Sequence, residues 1–204
     1  MGPSPGLGPP ARGAHFLARG EAAVDQFAVL IDAGHLLAEA GKLCCGTQKR
    51  GMLECDWEQL VEYVKGVAFA DCGLPLLRVY WYDGAQDGIP TIDHLEVARL
   101  TMVKLRLGRM SGGKQKGVDA LIYRDLMTLA RERAICRAYL LGGDEDLREG
   151  VTSAQDMGVQ VSVMGIPPVR GRNQSDTLLR EADQVMVLEK DVLAGCRKIL
   201  GIHV

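Results

Sequence analysis

Four aspartates stand where a carboxylate can do chemistry. Asp32 ends the apolar run Phe27–Ile31, Asp144 and Asp146 follow the run Ala138–Gly143, and Asp119 comes after Lys116-Gly117-Val118, just before a helical pattern. A carboxylate just past a buried strand lies where an open α/β sheet places its ligand crevice. Carboxylate oxygens suit hard divalent cations such as Mg²⁺ and Mn²⁺. Convergence of Asp32, Asp119 and Asp144 on one ion therefore points to metal-assisted chemistry on phosphate esters. Each acid taken singly has an ordinary reading, as a turn residue, a helix cap or a first-turn complement to a helix dipole. Their joint placement around the junctions of one sheet carries the metal reading.

Other polar residues have two readings each. His35 is a candidate base or an ordinary helix-start imidazole. Asp83 follows a second strand and either joins the acids or forms an Asp-Gly turn with Gly84. Asp176 lines the site or caps the last helix. Lys114, Lys116, Arg170 and Arg172 lie in two loops that border the acids in such a sheet, which favours phosphate contacts. Gly108–Lys114 matches the first part of a phosphate-binding loop, but Gln115 stands where a Ser or Thr would hold Mg²⁺, so a basic loop is expected instead. Gly142-Gly143-Asp144-Glu145 is similar to the signature of diguanylate cyclases, but a helix pattern and another strand follow it here, where that signature needs a β-hairpin. The Asp-x-Asp of Toprim domains pairs with a Glu after the first strand, where this chain has Asp32.

The elements that must position these residues alternate. The pattern predicts strands at 27–32, 76–82, 102–110, 137–141, 159–166 and 184–188. Strand 102–110 alternates Val103, Leu105 and Leu107 with Lys104, Arg106 and Gly108, so it reads as half-exposed and at an edge. Helices are expected from 35, from the N-cap Asp56 to Gly73, over 121–133, from Asp144 or Asp146 to about Met157, and briefly after Pro90 and from Ser175-Asp176. Residues 44–55 read as irregular, 111–117 as a flexible basic loop and 167–173 as a loop. Alternating strands and helices imply a mainly parallel sheet covered on both faces.

The 204 residues, 47% of them hydrophobic, suffice for one sizeable core, expected over residues 23–204. Residues 1–22 are Gly/Pro-rich and are expected to form a disordered tail; they lack the apolar stretch of a secretory signal. No run of about 18 apolar residues predicts a membrane span. A net charge of −2 argues against an overall basic field, so any surface attracting nucleic acid must be local. The six cysteines show no metal-binding spacing and are expected as reduced thiols, which suggests a cytoplasmic protein.

Leu30-Ile31-Asp32-Ala33-Gly34-His35-Leu36, Val79–Gly84, Lys116–Asp119, Gly142–Leu147 and Ser175–Asp183, in that order over about residues 26–190, together resemble an NYN domain. This is a branch of the PIN-like nuclease superfamily, and the likeness is to its bacterial LabA-like group. The resemblance implies a Rossmann-like three-layer α/β/α sandwich and Mg²⁺- or Mn²⁺-dependent cleavage of RNA. It carries over Asp32, Asp119, Asp144 and Asp146 as catalytic acids, the first three as metal ligands. His35 stands where that family usually has Asn; a neutral imidazole can still hydrogen-bond a phosphate or a water, with different geometry. His35, Asp83, Lys114, Lys116, Arg172 and Asp176 are then expected on the substrate side. The alternatives are a non-catalytic RNA-binding or scaffold module on the same fold, and a nucleotide-binding protein using residues 108–114. RNA is the expected partner, and a homo-oligomer is left open.

Overall fold

A computed structural model describes Gly2 and residues 25–111, 114–193 and 195–198. All but Gly2 of the expected tail 1–22 lies outside the described residues. The chain runs β1 (Phe27–Asp32), α1 (Ala33–Cys45), β2 (Leu53–Cys55), α2 (Trp57–Cys72), β3 (Leu76–Gln86), α3 (Ile92–Arg99), β4 (Val103–Ser111), β5 (Lys114–Lys116), α4 (Val118–Arg131), β6 (Arg137–Leu141), α5 (Arg148–Asp156), β7 (Gln160–Gly165), α6 (Asp176–Glu181), β8 (Gln184–Val187) and β9 (Cys196–Lys198). The main sheet has the order β5-β4-β3-β1-β6-β7-β8, with every neighbouring pair parallel except β4 and β5. β1, buried at every residue, lies in the middle because its apolar run can be covered on both faces. From β1 the order proceeds through β3 and β4 on one side and through β6, β7 and β8 on the other. The switch point, where such sheets open a crevice at the carboxyl ends of their strands, thus falls between β1 and β6.

Alternation along the strands divides the core. Ile31, Trp81, Tyr139 and Leu141 pack with Leu36, Trp57, Leu60 and Val64 of α1 and α2 on one face. Leu30, Tyr82 and Leu140 pack with Ile122 and Leu126 of α4, Val151 of α5 and Leu178 of α6 on the other. This is the expected Rossmann-like three-layer α/β/α arrangement. No helix among the described residues is long and apolar enough to cross a membrane.

Several local expectations change, among them that residues 53–55 of the stretch expected as irregular form β2 and that the helix expected from Asp144 or Asp146 begins at Arg148. Within the segment expected as a loop, residues 114–116 form β5, which pairs antiparallel with the end of β4 in the register Arg109↔Lys116, Met110↔Gln115 and Ser111↔Lys114. The intervening Gly112-Gly113 lies outside the described residues. β5, not β4, therefore ends the sheet. β3 continues past Tyr82 to Gln86, so Asp83 sits within a strand and not in a turn. The cysteines are not all reduced: Cys55 and Cys196 form a disulfide, while Cys44, Cys45, Cys72 and Cys136 are free. The bridged pair is 141 residues apart in sequence, and only the antiparallel pairing of β2 with β9 puts the two opposite each other.

Candidate metal centre

Asp32 ends β1 and caps α1, its carboxylate accepting the backbone N–H of His35 at 3.2 Å. Asp144 follows β6 and leads a short 3₁₀ turn, Glu145–Leu147. Asp119 belongs to the first turn of α4, which Gly117 makes accessible by adopting φ 82°, a left-handed conformation that favours glycine. These separate elements bring one carboxylate oxygen each of Asp32, Asp119 and Asp144 to within 4.8 Å of one another. The group spans a buried, a half-buried and an exposed residue, so it opens from the sheet end toward solvent.

Such crowding is electrostatically unfavourable without a cation. Burial pushes the Asp32 carboxyl up from 3.8 to about 6, and the charges of Asp119 and Asp144 add to that; the N–H groups of His35 and Gly34 oppose it. Asp119 is also pushed up, first by burial and then by Asp144 and Asp146. Asp146 therefore lies close enough to act on the cluster without joining its three-oxygen group. Three converging carboxylates are the donor set a hard divalent cation prefers.

His35 borders the same site. Burial holds its pKa below the usual imidazole value, against the pull of Glu39 and Asp144, so the ring is neutral at pH 7. Its Nε2 is buried with no hydrogen-bond partner among the described residues. Gly143 makes room for the ring: a Cβ there would fall 2.3 Å from His35 Cε1 and 2.8 Å from the Asn173 carbonyl oxygen. The segment after β7 is stitched over this point. Gln174 Nε2 donates to the carbonyls of Gly142 (2.6 Å) and Met164 (2.9 Å), Ser175 N–H donates to Gly143 O (2.8 Å), and Asn173 Nδ2 donates to Ile166 O (2.8 Å) and to buried Glu39 (3.2 Å). Sequence reasoning missed Glu39, Asn173 and Gln174. The available signal was a pair of amides following Gly171 in a loop beside the Gly142-Gly143 turn.

The other expected site residues are placed differently. Asp83 is buried on the α1/α2 face, where both its oxygens accept from Arg50 Nη1 (2.7 and 2.8 Å) and one contacts His94 Nε2 at 3.0 Å. His94 Nδ1 accepts the Thr91 N–H at 3.0 Å, so Nε2 is the donor to Asp83. That network lines a separate cavity of about 560 Å³ with Trp57 and Trp81. Arg50 and His94 were not foreseen. Asp176 begins α6 and pairs with Arg172 across an exposed turn. Lys114 and Lys116 are on β5, at the carboxyl end of β4 and hence at the same end of the sheet as the acids.

A mainly parallel sheet with acids gathered at its switch point defines a Rossmann-like α/β protein with a carboxylate cluster at that point. The chain belongs to the NYN domain family, which it matches over residues 26–189. It is also similar to an uncharacterized protein, y4oD, of Sinorhizobium fredii, with 46% identity over 112 residues, covering 54% of this chain and 52% of that protein. The match thus spans about half of that relative's length. The fold is shared with a crystal structure of a protein of unknown function, VPA0982, from Vibrio parahaemolyticus: TM-score 0.58 and 20% identity, over 83% of this chain and 96% of that one.

Proposed function

We propose that this protein is a metal-dependent ribonuclease that hydrolyses phosphodiester bonds. The NYN domain, a branch of the PIN-like nuclease superfamily, supports that reading. The observation that carries the reading is the convergence of Asp32, Asp119 and Asp144 within 4.8 Å at the switch point. The residues fit a Mg²⁺ or Mn²⁺ ion: all three are hard oxygen donors, burial raises the Asp32 carboxyl, and no Lys or Arg pairs with the three acids among the described residues. Such an ion supplies Lewis acidity to a phosphoryl oxygen and to the attacking water.

The chain's own residues do the rest. Asp32 is fixed by its capping bond to α1 and Asp119 by the first turn of α4, so the donors are oriented before the ion arrives. Asp146 adds negative charge beside Asp119 and is the candidate for a second ion or for a water-holding role. Neutral His35, pressed against Gly143 with Nε2 unsatisfied, offers a hydrogen bond to a phosphate oxygen or a water. Lys114 and Lys116, on β5 at the same sheet end, would hold the RNA backbone without reading sequence. Arg172 and Asp176 contribute there only by exchanging their mutual pair for substrate.

Asp144→Asn tests the reading. It keeps the side-chain shape and removes one ligand charge, so Mn²⁺-dependent cleavage of RNA by pure protein should fall by orders of magnitude with the fold retained. Cleavage at the parent's rate would end the catalytic assignment.

A further inference from the structure

We propose that the α4-side face of β3 and β4 is a track for the phosphates of an RNA strand leading away from the acid cluster; the inference rests on the ribonuclease reading. Side chains alternate along a strand, so Arg78, Tyr80 and Tyr82 of β3 share one face. The parallel register Tyr80↔Lys104 and Tyr82↔Arg106 adds Lys104 and Arg106 to that face. Arg124 reaches it from α4.

These four cations have one carboxylate between them. Buried Asp125 accepts from Tyr82 Oη at 3.2 Å, from Arg106 Nε at 2.8 Å and from Arg124 Nη2 at 3.3 Å. That ion cluster accounts for one positive charge and leaves one over. Arg78 and Lys104 are exposed and make no ion pair among the described residues, so three unneutralised charges remain on a protein whose net charge is −2. The cations are also held in place. The guanidinium carbons of Arg78 and Arg106 lie 5.8 and 5.9 Å from the centre of the Tyr80 ring, which itself stacks on Tyr82. Stacking restricts the arginine rotamers before any anion binds, which lowers the ordering cost of binding.

The patch adjoins the proposed cleavage site. Asp32 is the register partner of Tyr82, and Tyr82 that of Arg106. Arg106 is therefore two strands from Asp32, about 10 Å at the usual strand spacing. Lys104 is two residues further down β4, roughly 7 Å more. A chain of phosphates entering at the acids meets Arg106 and Arg124 first, then Lys104 and Arg78. Charge and stacking without directed donors to base edges predict binding that ignores sequence.

The test is binding of a labelled single-stranded RNA in EDTA, in the Asp144→Asn background so that nothing is cut, at several salt concentrations. Arg78→Ala/Lys104→Ala removes two exposed cations and leaves the Asp125 cluster intact. The slope of log affinity against log salt should flatten by about 1.4, at about 0.7 per lost contact with a single strand. Lys104→Ala alone should flatten it by about 0.7. Parent slope and affinity in both variants would overturn the track, as would the absence of salt-dependent RNA binding by the parent. If the slope behaves as stated while the unmutated protein cleaves no RNA with Mn²⁺, the ribonuclease reading fails and the binding track stands.

Discussion

The Asp32 carboxyl couples the acid cluster to folding stability, and the size of that coupling follows from its environment. Its value in the folded protein is about 6, against 3.8 for the free side chain. The folded state therefore holds this proton more tightly than the unfolded one. Its stabilising effect is fully present below pH 3.8 and is lost as pH rises to about 6. Above pH 6 the buried anion costs the metal-free fold about 3 kcal/mol. Asp32→Asn removes the ionisation and keeps the cap, since Asn caps helices as well as Asp. Without metal the variant should exceed the parent in stability by about 1 kcal/mol at pH 4.5 and about 3 kcal/mol at pH 7.5. In a chain of this size that gap at pH 7.5 corresponds to roughly 6–12 °C in melting temperature. Mn²⁺ at a hundred times its Kd should return about 2.7 kcal/mol to the parent at pH 7.5 and far less to the variant. Thermal melts of both proteins in EDTA and in Mn²⁺, at the two pH values, read all of this out. A parent–variant difference that is equal at both pH values, or an equal response of the two proteins to Mn²⁺, would refute the reasoning.

Gly143→Ala forces a Cβ into the His35 ring and the Asn173 carbonyl; it should lower stability by about 1–3 kcal/mol and reduce cleavage, checked by melting and by assay of the folded protein. Asp83→Ala strands His94 and Arg50; it should cost about 3 kcal/mol in denaturant unfolding while cleavage per folded molecule persists, and loss of cleavage at retained fold would return Asp83 to the site. Reduction of Cys55–Cys196, or Cys55→Ser, should lower stability by about 2–5 kcal/mol, seen as a reductant-dependent melting temperature in the parent that Cys55→Ser lacks.

What was legible in the sequence was local. Asp32 ends one strand and Asp144 follows another whose apolar runs cannot be mistaken, and Asp119 opens an amphipathic helix, so the chain geometry near each residue fixes its place at the sheet end. What was illegible depends on distant partners. Asp83-Gly84 reads as a turn, yet β3 continues through it because Arg50 and His94, 33 and 11 residues away, satisfy the carboxylate inside the fold. The disulfide is hidden for the same reason. The pairing of β5 is a different case: Gly112-Gly113 is a dipeptide found in two-residue hairpin turns, but Lys114-Gln115-Lys116 carries none of the apolar alternation that marks a strand.

Buried carboxylates in this protein come in two kinds, and the difference separates scaffold from site. Asp83 has Arg50 and His94, and Asp125 has Arg106 and Arg124, so each anion is neutralised by the chain itself on opposite faces of the same strand pair. Asp32 is as buried as Asp125, but no Lys, Arg or His pairs with Asp32, Asp119 or Asp144 among the described residues, and the acids have only each other and backbone N–H groups. A fold that gives Glu39 a lysine partner and Asp83 and Asp125 guanidinium partners, yet gathers Asp32 with Asp119 and Asp144 within 4.8 Å, leaves a deficit of positive charge in one place. In the proposed function a divalent cation of matching hardness would fill that deficit, and an RNA phosphate brought along the neighbouring cationic face would meet it there.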